Sequence, residues 1–324
     1  MTSTETARPV RTGRPLVQAV GIALAVVAFQ ALLLVMFTWP ALHSSAHDLP
    51  VVVAGPRPAA SQLAGQLGKA QPGAFDVTTV GTAAAADDKL RNREAYAAFV
   101  VGPDGVRLHV ASAASPQIAD IFRQVATGMS AKLGRPVPVT DVVPTDPDDP
   151  HGVVTSVGVL PLAITSLIAG SALGLLVRRR WAKLVGLLVY GVLAGLASMA
   201  IAQYGLSAVD GHYLLNAANV ALLALAISGV VAGLAGLLGP AGIGLGALVM
   251  FVAGVPLSGA TSSPDLLPSG WGLAGQLLPP GAGATLVRAD AFFDGAGATR
   301  SLLVLCAWVA VGLVLLAIGR RKRA

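Results

Sequence analysis

The chain has 324 residues, of which 54% are hydrophobic and only 12% charged, with a formal net charge of +6. Soluble domains carry about 25% charge, so the composition excludes an ordinary soluble protein, and the positive excess reads as charge anchoring apolar spans, not as a nucleic-acid surface. A single cysteine, Cys306, excludes an intrachain disulfide framework or a cysteine-based zinc knuckle.

Residues 1–15 read as a basic cytoplasmic tail carrying Arg8, Arg11 and Arg14. Residues 16–39 follow as a first transmembrane helix that stops at Pro40. The run is longer than the apolar core of a secretory signal, about 7–15 residues, so it reads as an uncleaved anchor despite the small residues Ser44-Ser45-Ala46.

Residues 40–152 differ in kind and hold most of the acids. Strands are expected at 49–54, 75–80, 96–101, 106–111 and 137–143, and helices at 59–70, 83–94 and 116–133. Gly102-Pro103-Asp104-Gly105 is the hairpin turn, and Ser115-Pro116 places Ser at the N-cap and Pro at the first helical position. The order βαβαββαβ predicts an α/β sandwich, and about 110 residues suffice for one core. His43 and His47, four apart beside Asp48, are a candidate zinc pair, but too few ligands accompany them. Asp146-Pro147-Asp148-Asp149-Pro150 reads as a stiff solvated linker in preference to a calcium loop, since it lacks EF-hand spacing.

Five further spans are expected at 153–177, 184–204, 214–238, 241–257 and 301–318. Arg178, Arg179, Arg180 and Lys183 separate the second span from the third, and Arg320, Arg321, Lys322 and Arg323 close the chain as a cytoplasmic tail (320–324). Basic clusters beside spans stay in the cytoplasm. Six spans with both termini inside satisfy all three clusters and put residues 40–152 outside. The fold class is thus an α-helical polytopic membrane protein, one helix plus five, with an inserted extracytoplasmic α/β domain. Heavy Ala, Gly and Val usage suggests a GC-rich bacterial genome, and with the spans the expected location is a bacterial plasma membrane, multi-pass. Gly170/Gly174, Gly191/Gly195, Gly229/Gly233 and Gly242/Gly246 put small residues at four-residue spacing in four consecutive spans, the pattern that lets helix backbones approach closely. Residues 258–299 are too broken by Gly and Pro to span and too apolar for a free loop. Half-helices dipping into the outer leaflet reconcile the two.

Chemistry is sparse. There is no G-x-x-x-x-G-K-[ST] loop, no H-E-x-x-H and no G-x-S-x-G, so neither a catalytic residue, a metal nor a cofactor is expected. No expected span carries Asp, Glu, Lys or Arg near its middle, which argues against ion-coupled transport. Gln203, Asn216 and Asn219 are the main polar residues of the bundle, read as interhelical hydrogen-bond partners or as cavity lining.

One span, a large external domain and five spans resemble the ABC-2 type permease family, in particular its YhgE/Pip-like branch. Arg93-Glu94-Ala95-Tyr96-Ala97-Ala98-Phe99-Val100-Val101 resembles the family's stretch where a helix runs into an apolar strand. Val110-Ala111-Ser112-Ala113-Ala114 is similar to the part of the family domain downstream of that strand. Asp141-Val142-Val143-Pro144, leading into Pro150-His151-Gly152, resembles its junction with the second span. Pro264, Leu267, Pro268, Gln276, Pro279, Pro280, Arg288 and Phe292-Phe293 fall in a segment similar to the family's external re-entrant region. The resemblance implies the membrane half of an exporter, paired as a homodimer or heterodimer in the lipid bilayer. It would move a hydrophobic or amphipathic substrate outward with energy from a separate ATPase subunit. In the family the loop between the second and third spans transmits the ATPase stroke; here that is Arg178, Arg179, Arg180, Trp181 and Lys183. The alternative is an anchored surface protein whose external domain binds an envelope component or ligand without transport.

Overall fold

The computed structural model describes residues 13–319. Arg8 and Arg11 of the first basic cluster, and all of Arg320–Arg323, lie outside the described residues. Among the described residues, six helices are long and apolar enough to cross a membrane: 17–40, 159–176, 180–205, 213–238, 240–257 and 298–318.

The first helix, α1 (Gly13–Leu42), runs through Pro40 instead of stopping at Trp39. None of its 18-residue apolar window is buried, although it touches residues 248–257 of the bundle. Within that contact Phe37 lies against Phe251, ring centroids 6.0 Å apart.

The α/β domain follows as β1 (Leu49–Ala54), α2 (Arg57–Ala70), β2 (Phe75–Val80), α3 (Ala83–Arg91), β3 (Ala97–Gly102), β4 (Gly105–Val110), α4 (Pro116–Leu133) and β5 (Val139–Asp141). The sheet order is β2-β1-β3-β4-β5. β1 is parallel to β2 and β3, β3 and β4 form the antiparallel hairpin, and β4 is parallel to β5. Alternate residues face opposite sides of a strand, so β1 feeds two cores. Val51 and Val53 pack with Leu67, Ile118 and Phe122 of α2 and α4, while Val52 and Ala54 pack with Ala86 and Leu90 of α3. Ser115 caps α4, its Oγ accepting from Ile118 N at 3.3 Å. The expected helix 83–94 ends earlier, at Arg91, and Arg93 takes a left-handed φ of 58°. The expected strand 137–143 keeps ladder pairing only at Val139–Asp141.

The acidic linker is a wound cap, not a free spacer. Asp149 is buried, and its Oδ1 and Oδ2 accept from Val153 N (2.7 Å) and Val154 N (2.8 Å) at the start of α5 (Val153–Val157). Caps of this kind contribute about 1–2 kcal/mol. Asp149→Ala is expected to lower the thermal unfolding midpoint of the detergent-solubilised chain, and Asp149→Asn to recover part of the loss.

The bundle then comprises α6 (Val159–Leu176), α7 (Arg180–Met199), α8 (Tyr213–Leu238), α9 (Pro240–Ala247), α10 (Gly254–Leu257), α11 (Trp271–Gln276), α12 (Pro279–Phe292) and α13 (Ala298–Ile318). The expected span 153–177 is interrupted at Gly158 because Pro161 has no N–H to offer the carbonyl of residue 157. Wide π turns extend α7 over Ala200–Gly205 and join α9 to α10 over Leu248–Ala253. At the second, Pro256 removes the donor that residue 252 would receive.

α8 is the hub. Two thirds of its apolar window (67%) is buried, and it packs against α6, α7, α9, α12 and α13. A helix apolar all round belongs inside. Each of the four glycine pairs bears on it. A methyl group built at Gly170 would stand 2.6 Å from Ser228 O, one at Gly174 2.7 Å from Ala235 Cβ, and one at Gly191 2.6 Å from Leu225 Cγ. Gly229 of α8 faces Gly312 of α13, and Gly246 of α9 lies against Val231. Small residues remove the side-chain spacer between backbones, so four helices close on one.

Candidate functional site

The α/β domain and the bundle meet through residues 258–299. Leu266 lies in the α2/α4 core of the domain and Phe293 in its α3 core, although both belong to the segment between α10 and α13. Backbone and side-chain bonds reinforce the junction: Ser45 N donates to Leu266 O (3.1 Å), Ser115 Oγ to Ser262 O (3.0 Å) and Tyr96 Oη to Asp265 Oδ2 (2.6 Å). Tyr96 Oη also lies 2.9 Å from Ser263 Oγ.

From that junction the segment turns back along the bundle. Trp308 Nε1 donates to Leu277 O at 2.8 Å. Trp308 lies ten residues past Ala298, the start of α13, so the turn joining α11 to α12 sits about 15 Å down α13 at 1.5 Å per residue. α12, with 14 residues, returns towards the domain over a rise of about 21 Å, too short to cross a bilayer core of about 30 Å.

The residues expected in this segment divide into distinct tasks. Pro264 opens a 3-10 turn (Pro264–Leu266), Leu267 is buried beside it, and Pro268 O accepts from Trp271 N (2.9 Å). Pro279 begins α12, where its missing N–H costs no helix bond. A methyl group at Gly254 would come within 2.9 Å of the Pro280 ring, so α10 and α12 close on a glycine. Gln276 bridges the dip: its Nε2 donates to Ser258 O (3.0 Å) and its Oε1 accepts from Thr285 Oγ1 (2.7 Å).

Arg288 is the exceptional member. It is 5% exposed, its Nη2 donates to Ala260 O (3.3 Å), and it forms no ion pair among the described residues. Arg93, reaching from the α/β domain, donates from Nη1 to Thr285 O (3.3 Å), one turn earlier on α12, and stacks over Phe293 at 5.4 Å. It too has no ion-pair partner among the described residues. Burial pushes the Arg288 pKa down to about 10, and the Arg93 charge pushes the same way. Burial also lowers Arg93. Burial and then the Asp265 carboxylate raise the Tyr96 hydroxyl. At neutral pH the junction therefore holds two cations and a neutral phenol.

The polar trio lies nearby. Gln203 Nε2 donates to Gly211 O (3.2 Å), Asn216 Nδ2 to Asp210 O (2.9 Å), and Asn219 Nδ2 to the Asp290 carboxylate of α12. Only the last joins two long helices; the other two hold the turn before α8. Gln203 Oε1 and Asn216 Oδ1 are buried without a hydrogen-bond partner among the described residues.

The far end of the bundle gathers the basic loop. Only residues 177–179 separate α6 from α7. Lys183 Nζ donates to Gly174 O (2.6 Å) and Arg180 Nη2 to Gly319 O, so both cations satisfy carbonyls at helix C-termini, where positive charge is favoured. Arg178 and Arg179 are exposed, and Trp181 is 63% exposed.

Elsewhere, Arg123, Asp120, Asp141 and His151 line a cleft of about 380 Å³ in the α/β domain, but Arg123 is already paired with Asp120 (2.8 Å) and Asp141 (3.1 Å). His43 stacks on Trp39 and His47 folds onto Ser45. No group of three or more His, Cys, Asp or Glu positioned to hold a metal occurs among the described residues.

Arg93, Tyr96 and Asp265 gave no site signal by spacing, because the first two lie about 170 residues from the third. The left-handed residue at 93 and the apolar Leu266 within a polar turn are visible only in three dimensions. Comparison of the chain with protein-family models, with curated proteins and with solved structures returns no match.

Proposed function

We propose that the chain is the permease subunit of an ABC-2 type exporter in a bacterial plasma membrane, pairing with a second permease copy and a separate ATPase. The observation that carries the reading is the dip of residues 271–292 to the middle of α13 beneath an α/β domain locked to it. Non-helical turns at membrane depth are tolerated where protein or a water-filled path covers them; here protein covers α12, and the reading takes the dip as part of the wall of the export route. On this reading the α/β domain is extracytoplasmic, the dip is re-entrant from the outer leaflet, and the basic end faces the cytosol. Arg178, Arg179 and Trp181, left free of helix-capping work, are the residues offered to an ATPase.

A second reading, an anchored surface protein, draws on the three-residue loop 177–179 and the Gly239-Pro240 turn, which give a cytosolic partner little area. Removing residues 43–152 would strip the cover from Leu266 and Phe293, so the discriminating experiment keeps the full chain. The tagged protein, purified from its own host in mild detergent, is expected to bring down a P-loop ATPase, and Arg178→Gln with Arg179→Gln to reduce the recovery several-fold. Recovery of envelope proteins without any ATPase, across several detergents, would favour the surface-protein reading.

A further inference from the structure

Arg93 and Arg288 come from different halves of the molecule yet converge on one face of α12: Arg93 at Thr285 O, Arg288 one turn on. Each guanidinium has five N–H donors, and each uses a single hydrogen bond among the described residues. Neither has a carboxylate within ion-pair distance among those residues; Asp265, bonded to Tyr96, acts on Arg93 only from longer range and not on Arg288. Arg288 is thus a buried charge without an ion-pair partner among the described residues, which is expensive. Arg93 reaches its position from a left-handed backbone, at φ 58°, an arrangement that a helix C-terminus with Gly or Asn would make without strain. Two like charges brought together, underpaired and at a cost in backbone geometry, are the arrangement that an anion completes.

We infer that Arg93 and Arg288 form a binding site for the phosphate or carboxylate head of an anionic amphiphile, held where the α/β domain meets the bundle. Guanidinium forks match such oxyanions in two-pronged geometry. The Tyr96 phenol stands close enough to act on both charges, but its one proton goes to Asp265, so the two guanidiniums supply the donors to the bound group. Binding does not depend on export, so a chain that recruits no ATPase leaves this inference standing.

The test uses the purified full chain. Thermal unfolding is followed in a neutral maltoside detergent with and without inorganic phosphate, and in nanodiscs of phosphatidylcholine with and without phosphatidylglycerol. The wild type is expected to gain about 5 °C from at least one anion source. A gain with phosphatidylglycerol alone assigns a lipid head, and a gain with phosphate alone assigns a free anion. Arg288→Met, which removes the charge but keeps the bulk, is expected to unfold no lower than wild type without anion and to lose the gain. Arg57→Gln, on the exposed start of α2, should keep it. A wild type indifferent to both sources overturns the inference, as does an Arg288→Met variant that responds as wild type does. If Arg288→Met does not fold, the half-buried Arg93→Gln carries the test. Loss of at least half the gain supports the site, and an undiminished gain overturns it.

Discussion

Gly195→Val is expected to be among the most damaging single substitutions in the bundle. A methyl group at this position would run into the carbonyl of Ala217 on α8 and lie 3.0 Å from Ala221 Cβ. A carbonyl oxygen cannot swing aside as a flexible side-chain end can, so α7 must move off α8. Overpacking of this kind costs about 1–3 kcal/mol and sometimes more, and valine, with two further methyls, lies at the upper end. In a domain of this size each kcal/mol lowers the unfolding midpoint by about 2–4 °C. The matched control is Gly21→Val in α1, where nothing stands within 4 Å; an open site is expected to change stability by less than about 0.5 kcal/mol. Unfolding followed by circular dichroism in detergent, with size-exclusion elution as a check on aggregation, measures both. Equal loss at the two positions would mean that backbone approach to α8 is not what holds α7.

The double substitution Leu266→Ala with Phe293→Ala is expected to separate the molecule into two unfolding units. Leu266 is 2% exposed and Phe293 5%. Truncating such side chains costs about 2–5 kcal/mol for Leu and 3–5 kcal/mol for Phe. These two are the plugs that residues 258–299 insert into opposite cores of the α/β domain. With both removed, the junction keeps polar bonds such as Tyr96–Asp265, worth about 1 kcal/mol each net. Calorimetry should show one transition in the wild type and two in the double variant, with faster proteolytic release of the α/β domain. A single, merely lowered transition in the variant would place the coupling elsewhere.

The division between sequence and structure follows the range of the forces involved. The α/β order was legible because each strand and helix declares itself locally, through alternating apolar residues, the Gly102–Gly105 turn and the Ser115-Pro116 cap. The ends of elements were less so. Arg93 breaks α3 early with a left-handed turn that no local residue preference requires. Pro40 lies within α1, although a proline usually marks a boundary. Asp149 looked like one of several solvated acids, and only its two backbone partners, Val153 and Val154, distinguish it from Asp146 and Asp148. Of the candidate site residues, Gln276 and Arg288 stood out as polar groups in an apolar stretch. Their partners at 258, 260 and 285 are ordinary by composition and became meaningful only by contact.

Hydropathy and the spacing of glycine are properties of contiguous sequence, so the chain by itself determined six apolar helices, an α/β insert and four surfaces suited to close approach. It could not determine that all four surfaces bear on one helix, α8. Nor could it determine that Leu266 and Phe293 leave the bundle to complete another domain's cores, because burial is decided by what arrives from elsewhere in the chain. The approach of Arg93 to Arg288 belongs to the same class: Arg288 stands out in the sequence, but only the folded junction brings Arg93 from the α/β domain to the same stretch of α12.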